Sequence, residues 1–145
     1  MKKETGKQSE WDHLLSAAQA AGQRAHAPYS NLKVGAALEG ESGVVYAGCN
    51  VENSSFGLTV CAERVALGCA VSQGERTFRR LLIFTAGAGP LSPCGACRQV
   101  LAEFCRQLPI LSVGRGGASR RFDLGDLLPH AFGWPAGEPS SEQEL

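Results

Sequence analysis

The chain has 145 residues, which suggests one domain with room for its own core. Fourteen basic residues balance fourteen acidic ones, so no strongly basic face is implied and a phosphate-tracking nucleic-acid binder is disfavoured. The opening "MKKETGKQSE" lacks the apolar core of a signal peptide, and no run approaches the ~20 apolar residues of a membrane span, so the expected compartment is the cytoplasm.

Residues 1–8 and 134–145 are polar or rich in proline and glycine and read as tails around a single domain at 9–133. Ser9 is placed to cap a first helix, with Asp12 three residues on. Trp11, Leu14, Leu15 and Ala18 recur on one face of that helix, and "APYS" ends it. "KVGAALEG" and "VVYAGCNV" are strand-like runs around "ESG", a hairpin signal. "CAERVALGCAVSQ" reads as a helix closed by Gly74, and "RLLIFTAG" as a buried strand. "CGACRQVLAEFCRQL" is a further helix with Pro109 past its end. "ILSV" and "RRFDL" are short strands, and "LGDLLPHAF" is a short terminal helix. A hairpin followed by strand–helix alternation implies an α/β layer structure with a mixed sheet.

The chemistry gathers at two helix starts. Cys61 and Glu63 open one helix; Cys94 and Cys97 open another, one turn apart on one face. A helix start presents free N–H groups and a partial positive charge, which favours thiolate over thiol. In a reducing compartment the six cysteines are ligands, nucleophiles or core residues before they are disulfides.

"PCGAC" between a strand and a helix fits a redox pair as well as a metal clamp. A disulfide exchanger needs no third thiol and no carboxylate, yet Cys61 and Glu63 supply both. A catalytic zinc takes three protein ligands and keeps one position for water, with a non-ligating carboxylate beside it to move protons. Catalytic zinc therefore ranks above redox exchange. Cys49, Cys69 and Cys105 read as small core residues, and His13, His26 and His130 as surface or cap residues. "GRGGASRR" reads as a solvated turn between two strands.

The spacing of "CAE" and "PCGAC" matches the zinc-deaminase signature. With "APYSNLKVGAAL", "GCNVENSSFGLTVCAERVAL", "SPCGACRQVLAEF" and "LLPHAFG", in that order over most of 27–133, the chain resembles the small homotetrameric cytidine deaminases. The resemblance implies a three-layer α/β/α fold with a mixed five-stranded sheet. It implies one Zn²⁺ per chain on Cys61, Cys94 and Cys97, with Glu63 as proton shuttle. Arg64 would bond to ligand sulfur, with Arg98 a second candidate for that task. Asn50 and Glu52 would bind ribose. Val51, Ala62, Leu32 and Phe132 complete the substrate-binding set, Phe132 by reaching a neighbouring subunit's active site. Leu32 stands where the family commonly has an aromatic residue, Phe56 where it often has Tyr, and Val65 where it often has Thr.

The implied activity is hydrolytic deamination of cytidine and 2′-deoxycytidine in pyrimidine salvage. The implied partner is a nucleoside, with no nucleic acid and no membrane, in a homotetramer with shared active sites. A blasticidin-type or other nucleoside-analogue deaminase, a polynucleotide deaminase and a non-catalytic zinc module are the alternatives. The first lacks the run that stands here as "NVEN", the second needs a basic groove, and the third leaves Glu63 without a task.

Overall fold

In a computed structural model, which describes residues 5–134, the chain is built on one five-stranded sheet. The tails expected at 1–8 and 134–145 fall largely outside that span. The expected hairpin forms: β1 (Val34–Gly40) turns into β2 (Val45–Cys49), with Gly43 at φ +87° in the turn. The later strands are β3 (Phe78–Thr85), β4 (Pro109–Val113) and β5 (Ser119–Asp123). Their order is β2-β1-β3-β4-β5, with β3 and β4 parallel and the other neighbours antiparallel. The sheet is therefore mixed, as expected.

Alternating side chains divide the core into two halves. On one face, Ala37, Leu82, Leu111 and Val113 meet Trp11, Leu14 and Ala18 of α1 (Thr5–Gln23). On the other, Ala36, Leu38, Leu81, Ile83 and Ile110 meet α2 (Ala62–Ser72) and α3 (Gly95–Ala102) through Ala62, Ala66, Leu67, Ala70 and Leu101. This is the expected α/β/α layering.

Two glycines let the helices approach. A Cβ on Gly35 would sit 1.8 Å from the Ala18 carbonyl oxygen, so α1 lies directly on β1 there. A Cβ on Gly48 would sit 2.5 Å from the Ala66 nitrogen, so α2 lies as closely on β2. Gly48 thereby fixes the height of α2 above the sheet, and with it the position of Cys61 and Glu63.

Three boundaries differ from the sequence-based expectation. α1 begins at Thr5, so Ser9 lies inside the helix rather than at its cap. α3 ends at Ala102, well before Leu108, and Pro109, which opens β4, disfavours helical backbone in Leu108 alone. Phe104 instead turns to meet Phe78 edge-on at 6.0 Å. The terminal helix is a single turn, α4 (Leu124–Leu127), capped by Asp123, whose Oδ1 accepts the Gly125 N–H at 2.9 Å. Leu128 leaves the helix ahead of Pro129 for the same steric reason. The Gly-Arg segment is a turn as expected, with Gly116 and Gly117 at positive φ between β4 and β5.

Candidate metal centre and cavity

The starts of α2 and α3 converge at one point. Cys61 is the N-cap of α2 and Cys94 the N-cap of α3, both with extended backbone; Cys97 follows in the first turn of α3. The three Sγ atoms lie within 4.8 Å of one another, and Cys61 and Cys94 are 3.8 Å apart. Cys97 is fully buried, Cys61 half-buried and Cys94 exposed, so the cluster is anchored inside and opens outward. Three sulfurs at such separations on two helix starts fit one tetrahedral ion with a fourth position open. The cluster fits a metal better than a Cys94–Cys97 exchange pair, because Cys61 lies within 4.8 Å of both.

The thiols influence one another. Cys97 beside Cys61, with help from the Arg64 guanidinium and from Cys94, holds the Cys61 thiol down at about 5. Cys97 is pushed the other way, first by Cys61 and then by burial. The cluster therefore carries thiolate character at neutral pH before any ion arrives. Arg64 Nη2 donates to Cys61 Sγ at 3.7 Å and to the Thr59 carbonyl at 3.2 Å, while its Nε is buried without a partner. Arg98, the other candidate for sulfur, points elsewhere: its three hydrogen bonds go to Pro93, Ser92 and Leu127.

Glu63 is buried at 6 % exposure, two residues after Cys61 in the first turn of α2. Burial, opposed by its own backbone N–H and reinforced by the Cys61 charge, pushes its carboxyl up to about 7. A group poised there exchanges protons in either direction at neutral pH.

A cleft of about 240 Å³ opens over these groups. Its wall includes Cys61, Ala62, Glu63, Cys94, Asn50, Glu52 and Leu32, all of them singled out in the sequence. Val51 is not on that wall. Its backbone pairs with Val60 in both directions at 2.9 Å, and its side chain faces solvent. Phe132 also lies away from this cleft, 70 % exposed, its carbonyl accepting from Gln99 Nε2 at 2.9 Å. The wall further contains Ser30, Val34, Thr59, Ile83, Leu91 and Ser92, which the sequence reading did not assign to substrate.

Asn50 and Glu52 have local partners. Asn50 Oδ1 accepts the Val34 N–H at 2.9 Å and Nδ2 donates to the Leu32 carbonyl at 2.8 Å. The amide thus clamps two wall residues and keeps one hydrogen for other use. Glu52 Oε1 accepts the N–H groups of Tyr29 and Ser30 at 3.0 and 3.2 Å. The Ser30 hydroxyl and these N–H groups hold the Glu52 carboxyl below its ordinary value. Glu52 is therefore an ionised acceptor with one oxygen already engaged.

The comparisons with known proteins agree with this geometry. Residues 8–111 match the cytidine and deoxycytidylate deaminase zinc-binding region. The chain is 45 % identical over 122 residues to a cytidine deaminase of Sporosarcina psychrophila, covering 83 % of this chain and 90 % of that one. It is 46 % identical over 126 residues to a probable cytidine deaminase of Dictyostelium discoideum, covering 86 % and 85 %. Among solved structures, a cytidine deaminase from Burkholderia pseudomallei superposes with TM-score 0.79 at 48 % identity, covering 83 % of this chain and 97 % of that one. The enzyme from Mycobacterium tuberculosis superposes with TM-score 0.73 at 42 % identity, covering 86 % and 98 %.

Proposed function

The chain belongs to the cytidine and deoxycytidylate deaminase zinc-binding family, and we propose that it hydrolyses cytidine and 2′-deoxycytidine to the uridines and ammonia. The observation that carries this reading is the buried Glu63 beside the Cys61–Cys94–Cys97 cluster on the wall of a nucleoside-sized cleft. We assign Cys61, Cys94 and Cys97 as ligands of one zinc ion, which when bound supplies an acidified water for attack on a ring carbon.

The chain's own residues do the rest. Glu63 takes a proton from the attacking water and delivers it to N3 of the pyrimidine, which draws electrons from C4. Water oxygen adds at C4, giving a tetrahedral carbon that carries OH and NH2. Glu63 then takes the proton of the new C4 hydroxyl and passes it to the amino group; as the C4 carbonyl forms, the C–N bond breaks and ammonia leaves. One water enters and one ammonia departs, with no redox change. Arg64 offsets the charge that three thiolates accumulate. Leu32, Val34, Ile83 and Leu91 form the apolar part of the wall, which suits a flat base. Ala62 lies between Cys61 and Glu63 on the same wall, and its backbone suits a contact to the base edge.

Glu52 Oε2 is assigned to a ribose hydroxyl and the remaining Asn50 hydrogen to another. Val51 acts through the backbone bridge that sets both neighbours. Phe132 is assigned to a neighbouring subunit's cleft in a homotetramer, a placement that its exposure permits. Among the described residues no helix is long and apolar enough to cross a membrane. The role assigned to the enzyme is pyrimidine salvage in the cytoplasm. The test is to purify the protein, count zinc per chain and follow the cytidine absorbance band. One zinc per chain with loss of the band is expected. A metal-loaded protein that leaves cytidine unchanged would overturn the reading.

A further inference from the structure

We infer that Arg98 is a positioning residue that ties the Leu91–Pro93 wall of the cleft to α4. Its guanidinium spans three acceptors on two segments. Nε donates to the Pro93 carbonyl at 2.8 Å, Nη2 to the Ser92 hydroxyl at 2.8 Å, and Nη1 to the Leu127 carbonyl at 3.1 Å. Leu91, Ser92 and Cys94 all line the cleft, whereas Leu127 is the last residue of α4 and does not. The inference rests on the cleft being the nucleoside site and adds a determinant of its shape.

The wall depends on this clamp. The stretch from Ala86 to Pro93 joins β3 to α3 without helix or strand of its own. Its other backbone bonds lie at the far end, Ala86 N–H to Lys33 and the Ala88 carbonyl from Arg115. Near the cleft, the Pro93 ring is buried but has no N–H to give, and Leu91 is 39 % exposed. The Leu127 carbonyl is one that the end of a helix leaves without an intrahelical donor. A planar fork of five donors serves three separated acceptors together. A lysine ammonium concentrates its donors at one point and cannot. Asp123 supports the far anchor by capping α4 through the Gly125 N–H.

The experiment compares wild type, Arg98→Met, Arg98→Lys, Asp123→Ala and Arg98→Met/Asp123→Ala as zinc-loaded proteins. A hydrogen bond to a charged group is worth roughly tenfold or more. Arg98→Met is therefore expected to raise KM for cytidine by about that factor, with a smaller change in kcat and full zinc. Arg98→Lys is expected to recover only part of the loss. Asp123→Ala should raise KM in the wild-type background and add nothing once Arg98 is Met. Backbone order parameters at Leu91 and Ser92 should fall in each single variant. They read the clamp even if cytidine proves not to be the substrate, so failure of the assigned reaction and failure of this inference are distinct. Unchanged order parameters in Arg98→Met, full recovery by Lys, or additive effects of Asp123→Ala would overturn it. Should Arg98→Met not fold, Arg98→Lys and Asp123→Ala decide the question by the same order-parameter measurement.

Discussion

Arg64 Nη2 stands 3.7 Å from Cys61 Sγ and 3.2 Å from the Thr59 carbonyl, so one guanidinium joins the loop before α2 to the first sulfur of the cluster. The contact draws charge from a thiolate that three-sulfur ligation would otherwise leave electron-rich. Arg64→Gln is predicted to keep zinc, lower kcat and move the pH at which activity rises to a higher value. An unaltered pH–rate profile would leave the helix starts alone to offset the sulfur charge.

Glu63 gives a stability prediction for the metal-free protein. Its folded value of about 7 lies above the ordinary 4.5. Between those values the folded state holds more protons than the unfolded chain, so ionising Glu63 works against folding. The penalty is absent below the unfolded value and complete above the folded one, on the order of 3 kcal/mol at ~1.4 kcal/mol per unit. Metal-free Glu63→Gln should therefore melt well above metal-free wild type at pH 8. The two should nearly coincide at pH 4.5. A melting-temperature gap that does not change with pH would refute the buried, raised carboxyl.

The proposed assignment of Glu52 to ribose gives a substrate prediction. Its Oε1 is held by two backbone N–H groups and the residue is reached by water, so losing a ribose partner leaves it solvated. 3′-Deoxycytidine should lose kcat/KM several-fold, less than a sealed carboxylate would exact. Cytidine and 2′-deoxycytidine should both be good substrates and free cytosine poor, because the sugar contacts position the base. Glu52→Gln should narrow the gap between cytidine and its 3′-deoxy analogue. Equal rates on cytosine and cytidine would take Glu52 out of the site.

Among the described residues, the α1 side of the sheet buries the charge of Glu39 on β1, with Arg80 Nε 2.6 Å from its Oε2 and His13 3.4 Å from its Oε1. Arg80 also pairs with Glu10 at 3.1 Å and lies over the Trp11 ring at 5.4 Å. Removing one partner of a buried pair strands the other. Arg80→Met is predicted to destabilise the fold by about 3 kcal/mol in chemical denaturation, and Glu39→Leu/Arg80→Met by much less. A double variant as unstable as the single one would show that packing of the arginine stem, not its charge, is what matters.

The layer order, the mixed sheet and the cluster were legible in the sequence because each leaves a local mark. A continuous apolar run marks β3, the Glu41–Gly43 turn marks the hairpin, and the two cysteine motifs each open a helix. The length of α3 was less legible: helical periodicity runs on to Leu108, and only the packing of Phe104 on Phe78 shows where the chain turns. Asn50 was read as a sugar ligand, but its clamp on Val34 and Leu32 depends on β1 and β2 lying side by side. Ser92 and Leu91 face the cleft because Arg98 bonds across the chain to Leu127, a contact between residues far apart in sequence. Phe132, read as a substrate-binding residue, lies away from the cleft and is exposed, so the single chain does not bring it to the site.

The account rests most heavily on Glu63 as the group that moves protons beside a metal it does not bind. The direct measurement is zinc content and kcat for cytidine on the same preparation of Glu63→Gln. The account predicts one zinc per chain, as in wild type, and a fall in kcat of at least ~10²–10⁴-fold, the contribution of a positioned acid–base group. Full zinc with near-normal kcat would contradict it.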